Sequence, residues 1–305
     1  MSGAALVPGL ALLLAWAWDL RFGEPRNAWH PVAWLGSLLA PLGRRLAAWP
    51  PAAAFCGGAL AWLVLAGGLG AAAWGWQQWA TPWPLWLAVP ALALVLKPMF
   101  AWRMLRDEVA AVDQALGVSL EAARAQLARL VSRDVSTASA DEVREAAIAT
   151  LAENLNDSLV APLCWFVLAG LPGAVVYRLA NTADAMWGYR GRYEWAGKWA
   201  ARADDLLSWL PARLTALLLW RAGGWRLLRA EAGQTPSPNG GWPMGAMALR
   251  LGVRLRKTGV YVLNGSAPSP GAADLPRALA AAGQAAGLAL LLACAAVFGS
   301  AAWRA

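Results

Sequence analysis

Residues 46–96 read LAAWPPAAAFCGGALAWLVLAGGLGAAAWGWQQWATPWPLWLAVPALALVL, and no Asp, Glu, Lys or Arg interrupts them. One helix crosses the hydrocarbon core of a bilayer with about 20 apolar residues, so this stretch is too long for a single crossing. It divides at Gln77-Gln78 and at Pro82 and Pro84, which predicts spans over 53–75 and 84–97 joined by an uncharged turn that faces outward. Three more stretches lack every charged residue: 1–18, 158–177 and 278–303. The first predicts a span over 4–18 and the last a span over 278–303. The chain has 305 residues, 59% hydrophobic and only 14% charged, against about 25% charged in soluble domains. The expectation is an all-α polytopic integral membrane protein with about four to six membrane-embedded helices, some broken or re-entrant. A secreted, disordered or nucleic-acid-binding domain is excluded.

The net charge of +8 fits loops that face the cytoplasm, since no soluble segment carries a basic stripe with interleaved aromatics. Cys56, Cys164 and Cys294 lie inside apolar runs, where cysteine acts as a small hydrophobe, and support neither disulfides nor a zinc knuckle. The 21 Trp suit interfacial anchoring. The first apolar run has no basic leader, and Asp19 and Arg21 follow it without a small-residue cleavage site, so it reads as a membrane helix rather than a signal peptide.

Between these spans, 19–51 carries Arg21, Arg26, Arg44 and Arg45 and reads as a cytoplasmic loop. Residues 98–154 hold six Arg and nine acidic residues. There Leu105, Val109, Val112 and Leu116 share one helix face, Gly117 ends that helix, Ser119 caps the next, and Ser139 with Glu142 has the spacing of a capping box. This predicts a cytoplasmic helical insert within a single membrane domain covering 1–305. Pro162, Gly170, Pro172 and Gly173 interrupt 158–177. A full crossing there would put Arg190, Arg192, Lys198 and Arg202 outside, against the positive-inside rule. A broken or re-entrant pair over 158–180 and 206–220 keeps them inside. Residues 221–277, with eight basic and two acidic residues, read as a cytoplasmic loop and helical segment. No fixed-period repeat is visible.

Polar residues gather at these membrane boundaries. Glu153, Asn154 and Asp157 precede an apolar run, with the two acids four apart on one helix face. Tyr177, Asn181, Asp184 and Gly188 continue at helical spacing, and Asp204 and Asp205 precede the segment holding Arg213. Ionisable residues at membrane depth mark functional sites. Several carboxylates without Cys or His suit a hard cation such as Mg²⁺ rather than zinc. The plainer alternative pairs each acid with Arg178, Arg202 or Arg213. His30, in N-A-W-H-P-V, is the sole histidine; it suits a structural hydrogen bond as well as a ligand. TPSPNGGWP (235–243) forms turns, and no P-loop motif is present.

The strings AENLNDSLVAP (152–162), YRLANTADAMWGYR (177–190), ADDLLSWLPARLTALL (203–218) and TPSPNGGWP (235–243), with GEP and HPV near the start, resemble the adenosylcobinamide-phosphate synthase family of cobalamin biosynthesis (CobD/CbiB). The resemblance runs from about residue 15 to 265, in order. It implies an ATP-dependent acid–amine ligase of the cell inner membrane with its site facing the cytoplasm. The carboxylate of adenosylcobyric acid would be joined to (R)-1-amino-2-propanol O-phosphate, or a related amino alcohol phosphate, giving adenosylcobinamide phosphate. The motifs carry over to Glu153, Asn154 and Asp157; to Asn181, Thr182, Asp184, Met186, Gly188 and Tyr189; to Asp204, Asp205, Pro211, Ala212 and Arg213; to Arg133-Asp134; and to Ser237, Pro238 and Asn239. Ser158, Thr235 and Met244 depart from the family pattern, which removes a His and a Glu from the Ser-Pro-Asn loop.

Activating a carboxylate through an acyl phosphate calls for Mg²⁺ against phosphate oxygens and fixed donors for developing charge. Glu153, Asp157, Asp184 and Asp205 are the candidate catalytic acids, with Asp157, Asp184 and Asp205 as metal ligands. Arg133 and Arg213 are candidates for phosphate. Asn154, Asn181, Thr182, Tyr189, Ser237, Asn239 and His30 complete the expected substrate site. Corrinoid, amino alcohol phosphate and ATP are the expected ligands, membrane lipid the surroundings, and enzymes of the later nucleotide-loop steps the expected protein partners. A transporter would show paired halves with midplane charges. A non-enzymatic membrane regulator on the same scaffold would lack parts of the acidic motifs.

Overall fold

A computed structural model describes residues 3–189, 191–221 and 224–303; Arg190, one of the four cations of the predicted 181–205 loop, lies outside them. Five helical stretches are long and apolar enough to cross a membrane: Gly3–Phe22, Pro51–Ala80, Leu85–Leu116, Ala140–Trp187 and Asp274–Gly299. With helices throughout and one short hairpin among the described residues, the chain is an all-α polytopic membrane protein. Contacts divide it into two compact units. Unit one comprises Met1–Ala101, Ala161–Leu207 and Leu290–Ala305; unit two comprises Trp102–Val160 and Ser208–Ala289.

Unit one contains α1 (Gly3–Phe22), α2 (Pro31–Ala47), α3 (Pro51–Ala80) and α4 (Leu85–Leu96). The uncharged run therefore breaks into two helices where its prolines predict, although Gln77 and Gln78 fall inside α3 rather than after it. Large apolar side chains such as Leu60, Leu63 and Val64 stay exposed on α3, as a lipid-facing helix requires. Trp76, Trp79 and Trp83 cluster at its end, with ring centroids of Trp79 and Trp83 4.3 Å apart, in the manner of an interfacial belt. The stretch 19–51, expected as a loop, contains α2. Pro31 supplies a preset N1 residue, and His30 caps the helix by accepting the Val32 N–H on Nδ1 at 3.1 Å.

The apolar run at 158–177 is broken, as its prolines and glycines predict. A π-helical turn at Asn156–Val160 leads into α8 (Ala161–Trp187), and Gly170 inside α8 takes φ +68°. The backbone N–H freed at this kink, that of Leu171, donates to Gln77 Oε1 at 2.8 Å. Only glycine enters the left-handed region without a Cβ clash. The last turn of α8 ends on Trp187, buried with Leu39, Trp62, Leu179 and Ala183. Its indole N–H donates to Leu39 O at 3.1 Å, and Gly43 and Gly197 approach it so closely that a Cβ on either would overlap it. The helix α9 (Lys198–Leu219) follows.

Unit two is built around α7 (Ala140–Leu155), buried along most of its length and packed by α5 (Trp102–Leu116), α6 (Leu120–Leu127) and α11 (Gly241–Leu251). Leu105, Val109 and Val112 are the buried stripe of α5. Ser119 caps α6, and Ser139 with Glu142 forms a complete capping box on α7. Also in this unit are α10 (Trp225–Ala232), a hairpin of β1 (Leu255–Lys257) and β2 (Tyr261–Leu263), and the part of α12 (Asp274–Trp303) up to Ala289. The register pairs Leu255 with Leu263 and Lys257 with Tyr261. A three-residue loop with Gly259 at φ +74° joins the strands, the glycine-bearing turn that such hairpins use.

Candidate functional site

The acidic-amide motif sits where α7 gives way to the π-turn. A π-turn inserts an extra residue into the i→i−4 ladder and recurs at functional sites. Asp157 therefore lies in irregular helix rather than on a simple continuation of the Glu153 face. Asn156 donates Nδ2 to Asp157 Oδ1 at 2.8 Å, while Thr215 donates Oγ1 to Asn156 Oδ1 at 3.1 Å and to Pro211 O at 2.9 Å. Asn156 thus holds the carboxylate of its neighbour and is itself held by Thr215, from the segment that follows Asp204-Asp205. Asn154 Nδ2 bonds back to Thr150 O at 3.1 Å.

The Thr235–Gly241 loop folds on itself. Ser237 Oγ accepts the N–H groups of Asn239 and Gly240 at 3.2 and 3.1 Å, and Thr235 Oγ1 donates to Ser237 O at 2.9 Å. Arg213 locks it: its guanidinium donates to Asn239 Oδ1 at 2.6 Å, Pro238 O at 3.1 Å and Trp209 O at 2.9 Å. The same group lies 4.6 Å from the Trp209 ring and 4.8 Å from that of Trp242, within cation–π range. Much of the donor fork expected to take phosphate thus serves the loop. Gly240 carries the loop over Glu153, and a Cβ there would stand 2.8 Å from Glu153 Oε1.

A cavity of 160 Å³ opens beside this motif, with Arg133, Glu153, Asn154, Lys257 and Tyr261 among its walls. Arg133 comes from the loop after α6, where Asp134 Oδ1 accepts the Ser136 N–H at 2.9 Å; this hydrogen bond holds the Asp134 carboxyl below its ordinary value. Lys257 and Tyr261 come from the hairpin, which the charge-based reading of 221–277 missed. The β-branched and aromatic run V-Y-V-L over 260–263, just after Gly259, was the available signal.

In unit one the second motif occupies the end of α8. Arg178 donates Nε and Nη2 to Met99 O at 3.0 and 2.6 Å and Nη1 to Asn181 Oδ1 at 3.4 Å. Thr182 Oγ1 donates to Arg178 O at 2.7 Å. Gly188 folds back to donate its N–H to Asp184 O at 2.6 Å, close enough for the Asp184 carboxylate to fill the space of a Cβ. Tyr189 is exposed, and Asp204 and Asp205 lie half-buried on α9. His30 donates Nε2–H to Glu24 Oε2 at 2.7 Å, the tautomer its Nδ1 cap requires. Both ring nitrogens are therefore committed within the fold. Lys97 completes that group, reaching Glu24 and Asp19, the latter at 3.0 Å.

Within unit two, then, the expected Arg133, Glu153 and Asn154 share one cavity, and Ser237, Asn239 and Arg213 form the loop beside it. Asn181, Thr182 and Asp184 share the end of α8 in unit one. Among the described residues no group of three or more His, Cys, Asp or Glu side chains is placed to hold one metal ion. Mg²⁺ needs no such cage, because it keeps water and binds through one or two carboxylates plus substrate phosphates.

Comparison with known proteins matches this arrangement of motifs to one family. The family model described as CobD/Cbib protein covers residues 12–291. A Thermococcus kodakarensis protein named probable cobalamin biosynthesis protein CobD is 41% identical over 284 residues, covering 90% of each chain. A Dehalococcoides mccartyi cobalamin biosynthesis protein CobD is 35% identical over 264 residues, 83% of this chain and 86% of that one. The Rhodobacter capsulatus protein of that name is 38% identical over 291 residues, 86% of this chain and 88% of that one. No solved structure matches. The chain belongs to the CobD/Cbib family.

Proposed function

We propose that the protein acts in cobalamin biosynthesis at the cell inner membrane, its site facing the cytoplasm, as an ATP-dependent amide ligase. It joins a carboxylate of adenosylcobyric acid to the amine of an amino alcohol phosphate. The observation that carries this reading is family membership over nearly the whole chain, with the acidic motifs retained. The carboxylate oxygen attacks the terminal phosphorus of ATP, releasing ADP and leaving an acyl phosphate. The amine nitrogen then attacks the carbonyl carbon, inorganic phosphate departs, and the amine gives up its proton. Glu153 is assigned to orient the ammonium and take the first of its protons, which frees the nitrogen lone pair for attack; the second proton leaves with the departing phosphate. Asp157, an oxygen donor held by Asn156, suits a hard cation, and Asp184 and Asp205 are donors of the same type. Mg²⁺ held by a carboxylate of this kind would supply neutralisation of phosphate charge. Asn154 and Asn181 are assigned to corrin amides.

The test is turnover by the purified full chain with adenosylcobyric acid, aminopropanol phosphate, ATP and Mg²⁺, read by mass spectrometry as amide product with equimolar ADP. Asp184→Asn is expected to abolish product while leaving membrane insertion intact. Wild-type turnover in that variant removes Asp184 from the reaction, and a wild-type protein that neither binds corrinoid nor forms product overturns the reading.

A further inference from the structure

Lys257 and Tyr261 were not among the residues expected to act, yet the hairpin delivers both to the cavity. They form one cross-strand pair, so their side chains leave the same face of the hairpin. Leu255 and Leu263 share that face and are fully buried. A lysine on the inward face of a hairpin is costly unless something pairs with it. The neighbouring cations of this segment are paired: Arg254 and Arg256 meet the buried carboxylate of Glu145 at 3.3 and 3.5 Å. Among the described residues Lys257 makes no salt bridge and donates no side-chain hydrogen bond, although its charge is felt by Glu153 across the cavity; Arg133 on the opposite segment likewise makes neither contact, its charge reaching Tyr261. Among the described residues the Tyr261 hydroxyl's one hydrogen-bond partner is the soft thioether of Met244, at 3.4 Å, a weak acceptor. Burial first, and then the charge of Glu153, push this phenol up to about 12, so it stays a donor at neutral pH. Two cations and a hydroxyl without a strong acceptor thus line the same cavity as a single acid, Glu153.

We infer that this cavity is the subsite for a small phosphomonoester carrying a primary amine, with Arg133, Lys257 and Tyr261 taking the phosphate and Glu153 the ammonium. The inference deepens the ligase reading by naming where its amine substrate sits. Size agrees. At 160 Å³ the cavity matches the roughly 150 Å³ void that admits a benzene-sized guest, enough for a phosphate on a short carbon chain and too small to enclose a nucleotide or a corrin. The hairpin also explains why Lys257 rather than Arg256 serves the anion. A one-residue shift of register would exchange the two faces, and Gly259 in its left-handed turn fixes that register.

The experiment is equilibrium binding of O-phosphoethanolamine, inorganic phosphate and ethanolamine to the purified full chain in detergent, by calorimetry, with thermal unfolding recorded for each variant. Wild type is expected to bind phosphoethanolamine saturably. Lys257→Met, which keeps the stem, and Tyr261→Phe, which keeps the ring, are each expected to weaken it about tenfold or more without a change in melting temperature. Glu153→Gln is expected to weaken phosphoethanolamine but not inorganic phosphate. Unchanged affinity in both Lys257→Met and Tyr261→Phe overturns the subsite, as does a wild type that binds phosphoethanolamine no better than ethanolamine. Amide turnover by such a protein would leave the ligase reading standing without this subsite. Phosphoethanolamine binding in a protein that makes no amide product would sink the ligase reading and leave the subsite.

Discussion

Replacing Lys97 with methionine removes the cation that sits between two carboxylates in unit one. Lys97 is 3% exposed and Asp19 is fully buried, with 3.0 Å between Nζ and Oδ1. Glu24 keeps the His30 N–H after the change, so Asp19 bears most of the loss. Removing one partner of a buried pair costs about 3–5 kcal/mol, because the other charge is stranded. At about 2–4 °C per kcal/mol for a domain of this size, the low end of that cost lowers the melting temperature by about 6–12 °C. The assay is tryptophan-fluorescence unfolding of the purified protein in detergent. Lys97→Met combined with Asp19→Asn is expected to recover more than half of the loss, since the buried charge that lost its cation is gone. A single variant that melts within about 2 °C of wild type refutes the argument. Acid titration adds a second check. Burial works to raise the Glu24 carboxyl, but the His30 hydrogen bond and the Lys97 charge outweigh it and hold it below its ordinary 4.5. A depressed folded-state value contributes stability that is complete above the unfolded value and disappears as pH falls through the folded one. Wild type therefore loses stability as pH drops below 4.5, and Lys97→Met flattens that slope because Glu24 is no longer held down.

Gly240→Ala places a methyl 2.8 Å from Glu153 Oε1 at an ordinary helical φ of −57°; the flexible carboxylate moves aside, so melting is unchanged while kcat falls about tenfold or more through misorientation. Gly241→Ala drives a methyl into the Ala232 carbonyl, a backbone atom, and lowers stability itself. Arg213→Lys gives up the planar fork and both ring contacts, costing about 2 kcal/mol, seen as faster hydrogen exchange over 235–240. Gly170→Ala forces a side chain to φ +68° and against Gln77, costing about 2–4 kcal/mol from strain and the lost Leu171 hydrogen bond.

The membrane helices were legible because their signal is additive: absence of charge over a long window, read against a fixed bilayer thickness. The break at Gly170 was legible from Pro and Gly chemistry, and the α5 stripe and the Ser139 box from local periodicity. What escaped depended on partners distant in sequence. Nothing near 19–51 announces that His30 caps a helix while its other nitrogen meets Glu24, because the Lys97 that completes this group lies far along the chain. Arg213 looked like a phosphate ligand because a guanidinium suits phosphate. Its pairing with Asn239 and two indoles required the fold. The hairpin was hidden by its length, since three-residue strands carry little alternation.

The carboxylates of unit two separate by what they hold. Glu145, fully buried, accepts Arg254 and is salt-bridged to Arg256. Glu231 accepts the Asn264 N–H at 2.7 Å and Gln234 at 3.1 Å, which fixes the end of the hairpin whose Asn264 sits at φ 49°. Glu142 closes its own capping box. Each of these acids carries structure, and its loss would leave a stranded group or a frayed end. Glu153 differs: among the described residues it accepts no hydrogen bond and forms no salt bridge, although it is half-buried beside a cavity. Folding gains nothing from holding a partly desolvated carboxylate there. Lys257 across the cavity gives it charge at a distance but no contact, so its direct partner is left to come with the bound molecule, and a cation there is what a carboxylate in that place selects.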